Sequence, residues 1–248
     1  LNCMGQEFKF KGMWSNGIKE GHGVLQTDNE LFTGHWINDT PNGLGNFKKQ
    51  SNNGLHEYTG AFKSGVMHGA GVYKFPGGRH VGMFENGLAH GKGTEIVYKH
   101  GVYSGEYTKG AKNGKFLFSG IHGTKYDGYF RNDLKCGPGV TTYPCGSVYK
   151  GWYKNNQKHG QGSFVWANGS SYKGSLKHGL KHGLGTYMYE ATSIFKKYEG
   201  QWKNDYPYGV GTITFRNGDQ VKASTKKHAN SGTTLTRFAK RKRVETSS

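Results

Sequence analysis

The sequence predicts an all-β protein: an elongated single-layer antiparallel meander of about nine stacked β-hairpins, followed by a basic arm outside the pattern. Three observations predict it. A block of about 23 residues recurs along most of the chain, each block sets aromatic residues at two-residue spacing around a glycine, and turn-forming residues separate the apolar runs. Composition agrees with this architecture. The 42 glycines among 248 residues, without a three-residue period, exclude collagen and require dense turns. An aromatic content of 14% separates the chain from disordered sequences. Aliphatic residues are too scarce for a thick core, so a thin sheet held by stacked rings is expected.

The blocks can be numbered by slots from their leading residues: Phe10, Phe32, Tyr58, His80, Tyr103, Tyr126, Tyr149, Tyr172 and Tyr198. Slot 3 is Gly in all nine, from Gly12 to Gly200, and slot 12 is Gly in all nine, from Gly21 to Gly209. Slot 14 is Gly except at Phe116, and slot 5 is aromatic except at Leu176. Slots 1, 3 and 5 share one face of a strand, because side chains alternate. Slots 8–11, as in "NQKH" at 156–159, are turn-rich and are expected to reverse the chain. A second strand follows with apolar residues at slots 16 and 18, such as Tyr73/Phe75 and Phe164/Trp166. A further turn then closes the block, as in "PGG" at 76–78 or "ANG" at 167–169. The slot 3 glycines are expected to leave gaps that aromatic rings fill. Nine hairpins at about 9–10 Å each would extend for roughly 85 Å.

The organisation that follows is an N-terminal lead-in over 1–9, a repeat array over 10–221 and a basic extension over 222–248. The opening "LNCMGQEFKF" has no apolar core of a signal peptide; it starts without Met, and whether residues precede Leu1 stays open. Two intervals lengthen, at "KKQSNNGLHEY" (48–58) and "YEATSIFKKY" (189–198). Both are candidate partner contacts, the second as a short helix or a longer hairpin tip. Val221–Ala223 reads as a degenerate cap. The terminal strands near Phe10 and Phe215 are expected to be open edges through which two copies could pair.

The block "YKGWYKNNQKHGQGSFVWANGSS" resembles the MORN repeat (membrane occupation and recognition nexus), whose pattern is close to Tyr-x-Gly-x-Trp-x-x-Gly-x-x-His-Gly-x-Gly. The resemblance covers about residues 10–221. It implies an extended antiparallel sheet and a binding or scaffolding role in cytoskeletal, ciliary or membrane-associated assemblies. Where such proteins are enzymes, the resemblance implies that a separate domain does the chemistry. The slot 11 His of the pattern is kept at His68, His90, His159 and His182 and replaced in the other blocks.

The Gly-x-Gly pairs are not phosphate loops, since they recur in eight of the nine blocks with no helix following. Slot 11 histidines one block apart would stand about 9–10 Å from each other, too far to share one ion. Their expected role is a hydrogen bond at a turn or strand end. His178 and His182 form the one close pair, across a turn. Cys136 and Cys145 replace slot residues, and the odd count of three cysteines fits reduced thiols. Carboxylates are scattered, and no nucleophile–base–orienter set exists. No catalytic residue, metal ligand or cofactor is therefore expected.

The formal net charge of +18 favours acidic partners. Residues 222–248 carry eight Lys/Arg against one Glu, so +7 of the total sits in the arm. Alone, this arm is expected to be disordered, and its run Lys240, Arg241, Lys242 and Arg243 is a candidate contact or import signal. Most slot 1 and slot 5 rings must be structural. About a third are expected to keep an exposed face on the concave side, and Trp14, Trp36, Tyr107, Tyr153 and Trp202 are the candidate partner anchors. The expected function is a non-catalytic scaffold that binds and orders several proteins of a large assembly, cytoskeletal or axonemal, in the cytoplasm and at the cilium or flagellum. The alternatives are recruitment to anionic, phosphoinositide-type membrane, or a structural place on RNA through the arm. Acidic tubulin tails are further candidate partners.

Overall fold

The computed structural model describes residues 8–225. Among them, nineteen strands belong to one antiparallel sheet. They are β1 (Phe8–Ser15), β2 (Ile18–Thr27), β3 (Glu30–Ile37), β4 (Thr40–Ser51), β5 (Gly54–Lys63) and β6 (Val66–Phe75). The chain continues through β7 (Gly78–Glu85), β8 (Leu88–Val97), β9 (Gly101–Thr108), β10 (Ala111–Gly120), β11 (Lys125–Arg131) and β12 (Leu134–Thr142). The remainder are β13 (Val148–Lys154), β14 (Gln157–Val165), β15 (Ser171–Lys177), β16 (Leu180–Met188), β17 (Phe195–Lys203), β18 (Tyr206–Phe215) and β19 (Gln220–Thr225). Two compact units form. The first runs to Ile121 and includes Phe130–Asp133; the second contains His122–Tyr129 and continues from Leu134.

Each block is one hairpin, and its turn lies at slots 7 and 8, where both residues have positive φ. Asn16 and Gly17 are at 48° and 78°, and Asn204 and Asp205 at 50° and 70°. This is the type I′ geometry, whose twist matches that of its flanking strands and which Asn, Asp and Gly adopt most easily. The reversal is therefore tighter and earlier than the sequence suggested. Slots 9–11 already belong to the second strand, as Gln157–His159 do in β14.

Slot 12 owes its glycine to a bulge. Gly12 faces Gly23 and Trp14 faces Lys19, so Met13 alone opposes Glu20, Gly21 and His22. The same shift recurs at Gly34/Trp36, Gly60/Phe62 and Gly151/Trp152. The slot 12 glycine sits in this excess with positive φ, at 71° in Gly21 and 66° in Gly160, where a side chain would be strained.

Slots 3 and 14 are glycines for a different reason. Gly60 faces Gly71 within a hairpin, and Gly71 faces Gly82 in the next, so glycines line up from strand to strand. The slot 1 ring folds back over this row. A Cβ on Gly60 would stand 2.5 Å from Tyr58 Oη and 2.7 Å from the Ala70 carbonyl oxygen. The gaps predicted at slot 3 exist, and the ring two residues earlier fills them. The slot 14 exception follows the same logic. Phe116 itself enters the cradle over Gly105 and is fully buried, while Tyr103 is displaced to Phe118, with ring centroids 4.4 Å apart.

The core is a ladder of edge-to-face rings. Phe32 meets Trp36 of its own block at 5.2 Å and Phe62 of the next at 5.0 Å; Tyr58 meets Phe62 and Phe84, both at 5.1 Å. Each contact is worth about 1 kcal/mol beyond the area buried. The phenols are satisfied locally: Tyr58 Oη donates to the Ala61 carbonyl at 3.0 Å, and Tyr126, Tyr149, Tyr172 and Tyr198 repeat this bond three residues ahead.

His80 is the odd member of slot 1. It is buried against Phe84 and Tyr107, and its Nε2 has no partner. Burial pushes its pKa below the ordinary imidazole value, with Glu95 pulling it up and Lys112 down. The unfolded chain therefore takes up the proton first, so stability falls as pH drops below about 6.5 and levels off under the folded-state pKa. His80→Tyr is expected to add about 1 kcal/mol and to flatten the acid side of the melting-temperature profile, which thermal melts across that range would show.

The insertions are hairpin extensions. β4 and β5 lengthen to a turn at 52–53, and the 189–194 tip contains no helix. Arg216 clamps that tip, its Nε donating to the Ser193 carbonyl at 2.8 Å and its Nη2 to the Glu190 backbone carbonyl at 2.6 Å. β19 pairs with β18 and buries Ala223. The strand of Phe215 is therefore covered on both sides and is not an open edge, because the chain continues past the last full block into a pairing strand. β1 already begins at Phe8. Residues 1–7 and 226–248 lie outside the described residues.

Candidate functional site

Pairing decides which slots join the ring face. Slot 10 opposes slot 5, as Met67 faces Phe62, and slot 16 opposes slot 1, as Tyr73 faces Tyr58. Slots 1 and 16 lie four residues along the strand from slots 5 and 10, about 13 Å. A channel therefore crosses the strands, with the ring ladder as floor, slot 10 as one wall and slot 16 as the other.

In the first unit this channel widens to a groove of about 800 Å³. Pro41 and Met67 stand on one side, Phe47 and Tyr73 on the other, over Trp36 and Phe62. Ion pairs mark its rim, Lys19–Asp39 at 3.3 Å and Lys49–Glu30 at 2.8 Å. Tyr73 Oη is fixed by a 2.7 Å hydrogen bond with His56 Nδ1. The lining is apolar with charge at its edge.

The second unit has the same floor with different walls. Slots 16 and 18 form a run of half-buried rings: Tyr143 on Phe164, Phe164 on Trp166 at 4.5 Å, and Trp166 on Tyr187 at 5.5 Å. Slot 10 supplies lysines. Lys158 Nζ lies 4.5 Å from the Phe164 centroid, and Lys181 Nζ 4.4 Å from that of Trp202. Burial lowers the pKa of Lys181, Asp205 opposing it, and burial lowers that of Lys135 as well.

Of the five candidate anchors, Trp14 is 55% exposed. Trp36, Tyr107, Tyr153 and Trp202 are buried in the ladder, so the expectation that these four keep an exposed face is corrected. A slot 5 ring is enclosed by the slot 1 rings of two blocks, as Trp36 is by Phe10 and Phe32 and Trp202 by Tyr172 and Tyr198. The Trp36 and Trp202 indoles donate to the Gly23 and Gly185 carbonyls at 3.3 and 3.0 Å. Tyr153 Oη bonds Thr141 Oγ1 at 2.6 Å. Lys240, Arg241, Lys242 and Arg243 lie outside the described residues. On the ring face of the second unit, the half-buried rings are those of slots 16 and 18, such as Phe164, Trp166 and Tyr187, and the cations beside them belong to slot 10. Period-two spacing from slot 14 already points to the former.

The histidines divide. His90 Nδ1 lies 3.3 Å from Glu85, and His178 Nδ1 bonds Gln157 Oε1 at 2.9 Å. His68 and His182 keep a buried Nδ1 without a partner, contrary to the hydrogen bond expected of slot 11. Cys136 and Cys145 are free thiols. Among the described residues, no three His, Cys, Asp or Glu side chains converge on a metal position.

Known proteins place this architecture. Human alsin is 30% identical over 129 residues, which is 48% of this chain and 8% of alsin, and alsin of Mus musculus matches equally. The match thus spans a small part of those relatives. Among solved structures, the SAS-4 (dCPAP) TCP domain of Drosophila melanogaster, in complex with a proline-rich motif of Ana2, aligns with a TM-score of 0.31 at 10% identity. That alignment covers 69% of this chain and 85% of the domain. The MORN repeat model matches nine segments: 10–29, 32–53, 58–78, 80–96, 103–115, 126–148, 149–171, 172–191 and 198–220. The chain belongs to the MORN-repeat family, whose repeats serve as interaction modules for proteins or membranes.

Proposed function

We propose that the chain is a non-catalytic scaffold subunit that binds and orders partner proteins of a larger assembly, and that this assembly is cytoskeletal or axonemal, at a cilium or flagellum. The observation that carries the docking role is the groove of the first unit, apolar along its walls and ringed by the Lys19–Asp39 and Lys49–Glu30 pairs. Its occupant is an apolar segment of a partner protein with charged residues at its flanks, since such a segment meets both the rings and the rim. The cellular setting rests on the company that MORN arrays keep. Rings that seal a groove contribute more than rim charges, which salt screens.

The test is affinity capture from ciliated cells with tagged wild type, with Phe47→Glu/Tyr73→Glu, and with Leu44→Glu on the opposite, exposed face. A defined set of structural proteins is expected with wild type and Leu44→Glu in high salt, and its loss is expected with the groove variant. Equal capture by all three proteins would overturn the groove. Recovery confined to anionic lipid, or lost on removing residues 226–248, which spares β19, would favour the charge-driven alternatives.

A further inference from the structure

Each unit has its own ring-floored channel, and the two differ in how their slot 10 cations are neutralised. In the first unit a slot 8 carboxylate from the following block answers each lysine. Asp39 Oδ1 accepts the Lys19 backbone N–H at 2.9 Å and its ammonium at 3.3 Å. Asp133 does the same for Lys112 at 3.1 and 3.2 Å, and Glu95 adds a second contact at 2.8 Å. In the second unit the pattern lapses. The residue that should answer Lys158 is Gly179, which has no side chain. Asp205 accepts the Lys181 backbone N–H at 2.8 Å. Among the described residues, no carboxylate stands within 4.0 Å of either ammonium.

These ammoniums are held in place by rings. Lys158 lies over Tyr143, Tyr149 and Phe164, and Lys181 over Tyr187 and Trp202. A ring face fixes a cation and strips part of its water, but it does not neutralise it. A carboxylate arriving here therefore meets a positioned and partly dried donor, and less desolvation opposes the charge-assisted bond.

We propose that Lys158 and Lys181 are the receptor for two carboxylates of an acidic segment in a partner protein, whose apolar side chains cover Phe164, Trp166 and Tyr187. The assignment rests on the ring face being a protein-docking surface. Slot 10 positions of adjacent blocks are two strands apart, about 9–10 Å. That matches acids seven residues apart on a helix, about 10.5 Å. A lipid headgroup fits less well. The ammoniums lie over ring faces, 4.5 Å from the Phe164 centroid and 4.4 Å from that of Trp202, and a bilayer surface offers no apolar side chain for Trp166 and Tyr187 beside its phosphates.

The experiment is selection from a phage-displayed library of random peptides long enough to cross two blocks, on three folded baits with matched melting curves. The baits are wild type, Lys158→Gln/Lys181→Gln, and Lys150→Gln/Lys173→Gln, which removes the same charge from exposed positions facing away from the channel. Wild type and the outward variant are expected to enrich peptides with paired Asp or Glu among apolar residues. Those peptides should bind the channel variant about tenfold more weakly. Enrichment without acidic preference, or equal binding to all three baits, overturns the carboxylate receptor and leaves the docking face standing. If no bait enriches any peptide, the docking face fails too. If the channel variant keeps its peptides but loses phosphatidylserine vesicles, the receptor is for lipid and the proposal is wrong.

Discussion

Gly60→Ala is expected to destabilise the array by about 3 kcal/mol, at the upper end of what overpacking costs. The position is extended backbone, so φ is not the obstacle. The new methyl would stand 2.7 Å from the Ala70 carbonyl oxygen and 2.7 Å from Gly71 Cα, with Tyr58 Oη at 2.5 Å. Two of these are backbone atoms of the paired strand, so a rotamer change cannot relieve the contact. Separation of the strands, or expulsion of Tyr58 from its cradle, must follow. In a repeat array the loss acts on the interfaces to both neighbours. Gly77→Ala is the control, since its nearest heavy atom is 4.0 Å away, and it should change stability by less than about 0.5 kcal/mol. Urea unfolding of both variants reads the difference. Equal midpoints would mean that the glycine row is not what admits the rings.

Tyr172→Ala removes the ring instead of the space beneath it, and is expected to cost about 4 kcal/mol. Tyr172 is buried over Gly185 and meets Trp202 edge-on at 5.5 Å. Tyr172→Phe should cost about 1 kcal/mol, because it loses only the 2.8 Å bond to the Ser175 carbonyl. The same ring carries a pH signature. Burial raises the Tyr172 phenol to about 12, and Tyr149 likewise to about 12. An acid whose folded pKa is raised stabilises the fold fully below its unfolded pKa of about 10 and loses that contribution as pH rises toward 12. Alkaline melts should therefore show stability declining from about pH 10, and less steeply in Tyr172→Phe. An unchanged slope would place the phenol in contact with water.

The hairpin array was legible because slot identity repeats, and repetition survives any local irregularity. The aromatic slots 1 and 5 and the slot 3 gap followed from spacing, whereas the pairing strand after Phe215 did not, because the repeat pattern stops before it. The turn was placed late because composition marks where polar residues cluster, whereas geometry is set by positive φ at two residues such as Asn155 and Asn156. The bulge at slot 12 was invisible, since an invariant glycine does not announce whether it needs space or a left-handed backbone. The site was legible least of all. Sequence marks Trp36 and Trp202 as large rings fit for an interface, but their burial depends on the slot 1 rings of two different blocks. What separates Lys158 from Lys19 is the residue at slot 8 one block later, Gly179 against Asp39, a relation that appears only once register is known.

Near-identical interfaces carry a hazard in folding. A first strand that pairs with the wrong second strand finds the same facing glycines and the same cradle, so misregistered hairpins cost little. Phe116 ends that equivalence. A slot 1 ring from any other block would enter a cradle that Phe116 already occupies, whereas Tyr103 has moved aside onto Phe118. The one broken glycine thus gives β9 and β10 a private address, from which the pairings on either side can be counted.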